Sequence, residues 1–102
     1  LDRHEALAVQ AVFDGRAKTK PVTAIKSMLG ETLGTSGATQ ALSLVEAMRD
    51  GSLPGISGLQ SLEDCFPIGA ASAMTQRLDL PNGLVSSVGF DGHSCSLVIE
   101  RV

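Results

Sequence analysis

Two cysteines, Cys65 and Cys95, are all that this 102-residue chain carries. A secreted domain of such size that relied on disulfide staples would hold more, so a disulfide framework is excluded. Neither their spacing nor a neighbouring histidine pair suggests a metal site. Free thiols point instead to a reducing, cytoplasmic setting. Basic charge is also scarce: eight Lys and Arg stand against eleven Asp and Glu, a net charge of −3. Without a basic stripe to neutralise phosphates, a nucleic-acid footprint is excluded. Lys18 and Lys20 form the one local basic cluster and read as a solvated loop. No apolar run approaches the roughly 18 residues that a membrane span needs. Asp2, Arg3, His4 and Glu5 crowd the start with charge, unlike a signal peptide. Internal repeats and low-complexity tracts are missing too.

What remains is a globular balance, 43% hydrophobic and 19% charged, with too little charge for disorder. The length suits one domain, residues 1–102, with a modest core. Ala8, Val9, Val12 and Phe13 recur at helical spacing between Asp2 and Asp14. Asp2 is placed as N-cap, with Glu5 three residues later as in a capping box, and Gly15 as the stop. Pro21 to Lys26 reads as a short buried strand. A turn marked by Gly30, Gly34 and Gly37 follows. A second helix carries Ala38, Ala41, Leu42, Val45 and Met48 and ends near Asp50 and Gly51. The small residues Thr35 to Ala38 at its start imply a close neighbouring backbone. Ser52 to Gly69 reads as an extended connector, long for a small domain. Thr75 to Leu80 reads as a short edge strand and Pro81-Asn82-Gly83 as a turn. Strands Leu84 to Val88 and Ser94 to Val102 close the chain. Because it opens at Leu1 rather than Met, inside a helix, the sequence reads as a truncated piece.

Three collinear segments carry a resemblance. They are Asp2-Arg3-His4-Glu5-Ala6; Ile25-Lys26-Ser27-Met28-Leu29-Gly30-Glu31-Thr32-Leu33-Gly34-Thr35-Ser36-Gly37-Ala38; and Ser86-Ser87-Val88-Gly89-Phe90-Asp91-Gly92-His93-Ser94-Cys95-Ser96-Leu97-Val98. In order and spacing they resemble the Asp-x-x-Glu-Ala, Lys-Ser-x-x-Gly-His-x-x-Gly-x-x-Gly-Ala and Asn-Ser-Phe-Gly-Phe-Gly-Gly-x-Asn-x-Ser-Leu segments near the carboxyl end of β-ketoacyl synthases. The resemblance implies an α/β, thiolase-like fold, here an incomplete C-terminal portion with helices packed on a mixed sheet. Two main helices and four short strands are expected, with an apolar edge or face left for the missing chain and a dimer partner to cover.

It also implies an acyltransferase that performs decarboxylative Claisen condensation on carrier-protein thioesters, in fatty-acid or polyketide synthesis. No resident cofactor is implied, since substrates ride on the phosphopantetheine of an acyl carrier protein. That carrier protein, and a homodimer or heterodimer mate, are the implied partners. The nucleophilic cysteine and the first histidine would precede Leu1, so this piece by itself is not expected to be active. Cys65 and Cys95 are expected to be small buried hydrophobes instead.

The resemblance marks four site residues. Lys26 matches the motif lysine, whose role is to hold charge beneath the active site in partnership with an acid matching Glu5. A strand-end lysine and a helix-start carboxylate meet if the helix packs on that strand. The plainer alternative is a surface lysine and a local capping glutamate. Glu31 occupies the position of the second catalytic histidine. A neutral imidazole donates a hydrogen bond to an enolate oxygen, whereas an ionised carboxylate only accepts. Impaired condensation is the leading reading; a protonated or repurposed acid and a solvent-facing residue are the others. Phe90 matches a gating phenylalanine whose backbone N–H helps form an oxyanion hole; its alternative is plain hairpin core. Asp91 stands where the family has glycine and Val88 where it has phenylalanine, changes that would stiffen the gate or alter the pocket. His4 and His93 are not convincing replacements for the missing imidazole. Beside the active enzyme stand two further readings: a condensation-deficient partner subunit like the chain-length factors, and a stand-alone binding domain.

Overall fold

A computed structural model describes residues 2–61 and 70–102. The first helix, α1 (Asp2–Phe13), runs from the residue expected to cap it. Its end differs from expectation by one position: Asp14, with φ of 51°, takes the left-handed turn assigned to Gly15. Aspartate tolerates that conformation better than most side chains. A 3-10 turn (Asp14–Thr19) follows, burying Ala17. Lys18 and Lys20 are exposed there, and the Lys20 ammonium lies 5.7 Å from the centre of the Phe13 ring.

The strand expected over Pro21 to Lys26 is only two residues long, β1 (Pro21–Val22). Local hydrogen bonds win the rest of that stretch. The Ser27 N–H and its hydroxyl both donate to the Ala24 carbonyl, at 3.1 and 2.8 Å, and the Thr23 hydroxyl donates to the Pro54 carbonyl at 2.7 Å. The backbone therefore coils into α2 (Lys26–Leu29), which Gly30 ends at φ 76°. A second 3-10 turn (Leu33–Thr35) leads into α3 (Ser36–Asp50). Gly37 thus lies inside a helix, and what it faces is the Ser87 side chain rather than a backbone.

Gly51 caps α3 at φ 66°, ψ 36°, the left-handed stop that glycine adopts without strain. Four short strands and a hairpin pair complete the described chain. They are β2 (Ser52–Leu53), β3 (Ala70–Ala71), β4 (Gln76–Arg77), β5 (Asn82–Val88) and β6 (Ser94–Glu100) together with β1. The four strands expected are thus six among the described residues, because β2 falls at the start of the stretch read as a connector and β3 just past its end. The mixed sheet takes the form of three two-stranded ladders. β1 and β3 are parallel, whereas β2 with β4, and β5 with β6, are antiparallel. The hairpin runs in register from Asn82 opposite Glu100 to Val88 opposite Ser94. Its first strand therefore begins inside the expected Pro81-Asn82-Gly83 turn.

The core is built by Ala47 and Met48 of α3 with Leu53 and Leu80; Leu44, Leu78 and Ile99 pack against it. Leu44, Ala47 and Met48 are spaced to share one helix stripe. The expected apolar face is shifted around the helix, since Leu42 is 64% exposed. Helix and hairpin pack tightly at Gly83, where an added Cβ would lie 2.6 Å from a Leu44 methyl carbon. Arg101 fastens the far end of β6 through an ion pair with Asp79 at 2.9 Å and a backbone bond to the Pro81 carbonyl at 2.8 Å. On β6, Leu97 and Val98 point to opposite faces, and both are exposed. No helix of the described residues is long and apolar enough to cross a membrane.

Candidate functional site

Two polar clusters are built from the expected site residues. The first lies where α2 gives way to α3. Lys26, the opening residue of α2, extends its ammonium to within 2.5 Å of Glu31 Oε2. The other carboxylate oxygen, Oε1, accepts the Leu33 N–H at 2.7 Å. The Lys26 hydrogen bond first, and the Leu33 N–H after it, hold the Glu31 carboxyl below its ordinary value of 4.5. Both contacts favour the charged form of Glu31. The pair is neither buried nor dry, with the side chains 47% and 43% exposed. Ile25, Leu29, Thr32 and Ser36 line a shallow hollow beside Lys26.

This arrangement corrects the expected pairing. Lys26 starts a helix rather than ending a strand, and its ion-pair partner is Glu31. Glu5 is exposed on α1 and forms no ion pair or side-chain hydrogen bond among the described residues. α1 packs chiefly against the 3-10 turn that follows it, not against α2. His4 is exposed on the same helix.

The second cluster is the apex of the β5–β6 hairpin. Phe90 sits there, 95% exposed in this chain. Beside it, Asp91 accepts twice from one residue: the His93 N–H at 3.1 Å by Oδ1, and the His93 ring at Nδ1, 2.8 Å from Oδ2. The His93 N–H first, then the ring, hold the Asp91 carboxyl below its ordinary value of 3.8. Backbone bonds from Gly89 to the His93 carbonyl (2.8 Å) and from Gly92 to the Gly89 carbonyl (3.1 Å) close the turn. Gly92 sits at φ 87°, a conformation glycine supplies. Asp91 thus pairs with His93, which the sequence set aside only as a replacement imidazole. An aspartate two residues before a histidine in a glycine-rich turn was the available signal.

No hydrogen bond or ion pair among the described residues joins Glu5 or Phe90 to the Lys26–Glu31 pair. Cys95, expected to be buried, is free and exposed on β6; the register leaves it on an edge that nothing described covers. Cys65 lies outside the described residues. No three His, Cys, Asp or Glu side chains among the described residues are placed to hold a metal ion.

Comparison with known proteins accounts for the order of these parts. The profile of the β-ketoacyl synthase C-terminal domain matches residues 1–60. The chain belongs to the β-ketoacyl synthase family. Among curated relatives of this ketosynthase-family chain is the 3-oxoacyl-(acyl-carrier-protein) synthase 2 of Coxiella burnetii, 29% identical over 99% of the chain and 24% of the relative. The same enzyme of Staphylococcus aureus is also 29% identical, over 98% of the chain and 24% of the relative. The chain thus spans about a quarter of the length of the curated relatives it matches. Among solved structures, it superimposes on a chain from a complex of a type II polyketide acyl-carrier protein with its ketosynthase bound to the hexaketide. The TM-score there is 0.90 at 20% identity, over 96% of this chain and 24% of that one. The ishigamide ketosynthase/chain length factor gives a TM-score of 0.90 at 22% identity, over 99% and 25%. The fold is accordingly the thiolase-like α/β fold of that family.

Proposed function

We propose that this ketosynthase-family chain is part of an acyltransferase that lengthens acyl thioesters on an acyl carrier protein by decarboxylative Claisen condensation. In that reaction a malonyl-type extender loses carbon dioxide to become an enolate. The enolate carbon then attacks the carbonyl of an acyl group held as a cysteine thioester; a carbon–carbon bond forms and the thiolate leaves. Family membership, and the names of the relatives, support this reading. The partners that go with it are a carrier protein, whose phosphopantetheine presents the substrate, and a homodimer or heterodimer mate in a cytoplasmic setting. Lys26 and Glu5 would supply charge near the reacting groups and Phe90 a gate for the acyl chain.

Glu31 carries the qualification that this copy condenses poorly. Where the family motif has histidine, an ionised carboxylate has both oxygens already accepting. It offers an enolate oxygen no donor, and its charge opposes the one developing there. Loss of a single oxyanion donor costs about 10²–10³ in rate. The same observation favours a second reading, a non-catalytic partner subunit of the chain-length-factor kind, and one structural neighbour is described as a ketosynthase/chain length factor.

In the protein that carries this chain, Glu31→His should raise malonyl-thioester decarboxylation by about 10²-fold if Glu31 faces the substrate. Release of carbon dioxide from a malonyl carrier protein measures it. Unchanged release would remove Glu31 from the site.

A further inference from the structure

We propose that Glu31 is a positioning residue, a two-pronged staple that fixes both the Lys26 ammonium and the left-handed backbone of Leu33. The inference deepens the reading above, on which its catalytic meaning rests. Leu33 has φ 52°, a conformation that a branched side chain disfavours. Burial does not hold it there, since its side chain is 72% exposed. What does hold the turn is polar. One Glu31 oxygen accepts the Leu33 N–H at 2.7 Å, and the other accepts Lys26 Nζ at 2.5 Å. Lys26 is itself tied to the near end of the loop, because its carbonyl accepts the Gly30 N–H at 2.8 Å. On the far side the Thr32 carbonyl accepts both the Thr35 N–H (3.2 Å) and the Thr35 hydroxyl (2.9 Å), launching α3.

One carboxylate therefore joins the first residue of α2 to the turn that starts α3. A carboxylate committed to two donors serves as an anchor for Lys26 rather than as a proton-transfer group. Lys26 and Glu31 are the charged groups at this turn. The staple exists only while Glu31 is ionised; protonation frees Lys26 and weakens the acceptor for Leu33.

Residue-resolved amide exchange on the full protein tests this without using activity. Glu31→Ala should speed exchange at Leu33 and Thr35 by about three- to tenfold, the range for losing an exposed, charge-assisted hydrogen bond. Lys26→Met should speed Leu33 less, because the second prong survives. Adding Leu33→Gly to Glu31→Ala should return Thr35 toward the wild-type rate, since glycine takes the same backbone conformation unaided. Unchanged exchange in Glu31→Ala, or no recovery with Leu33→Gly, would overturn the staple. The two readings fail separately. Altered exchange with no change in decarboxylation by Glu31→His removes the active-site role and leaves the staple. Increased decarboxylation with unaltered exchange does the reverse.

Discussion

Asp91 is held by two contacts to His93, so its ionisation and the shape of the hairpin apex are linked. Its carboxyl lies below the ordinary 3.8 because both contacts favour the charged form. A depressed value in the folded chain means the contribution is complete above pH 3.8 and is lost as pH falls through the lower, folded value. Carboxyl-carbon NMR of Asp91 should therefore show a midpoint under 3.8, with the His93 amide shift following the same curve. His93→Ala should move that midpoint upward while leaving its backbone contact in place. Glu31 titrates by the same sign rule. This much was half legible: the sequence marks Asp91 as a departure from the family glycine, but a two-residue contact depends on turn geometry that periodicity does not encode.

At the scale of elements, helix boundaries were the readable part. α1 and α3 lie close to their expected spans because apolar spacing and a glycine stop act locally. The Pro21–Lys26 stretch departs from the expected strand because the strand preference of β-branched residues yields to context, here the Thr23–Pro54 and Ser27–Ala24 bonds. The Lys26–Glu31 pairing was hidden for the same reason: only once Lys26 starts α2 does its side chain reach the residue just beyond the helix. Gly83 passed as a turn residue, yet it is the gap through which Leu44 meets β5. Gly83→Val should therefore destabilise the protein by about 1–3 kcal/mol through overpacking, measured by chemical denaturation. The paired change Gly83→Val with Leu44→Ala should cost less than the two single changes summed. Strict additivity would show that the two residues do not share that space.

For the molecule as a whole, the exposed apolar side chains are the informative surface. Leu42 on α3, Leu97 and Val98 on β6 and Phe90 at the apex all meet solvent in this chain. A strand with apolar residues on both faces is the pattern of one buried on both sides. Residues 1–102 expressed alone should therefore self-associate in size-exclusion chromatography, and Val98→Lys should reduce that association. A monodisperse, cooperatively melting monomer would instead favour the stand-alone binding domain. The apolar face was foreseen from the family resemblance, although its position on α3 was not, since which stripe packs inward depends on where β5 and β6 cross the helix.

The Gly83–Leu44 contact and the approach of Gly37 to Ser87 brace β5 against α3 near both of its ends. Phe90 stands three residues past Ser87, in the turn beyond the strand. A displacement of α3 is thereby handed along a doubly supported strand to the place where the ring is displayed.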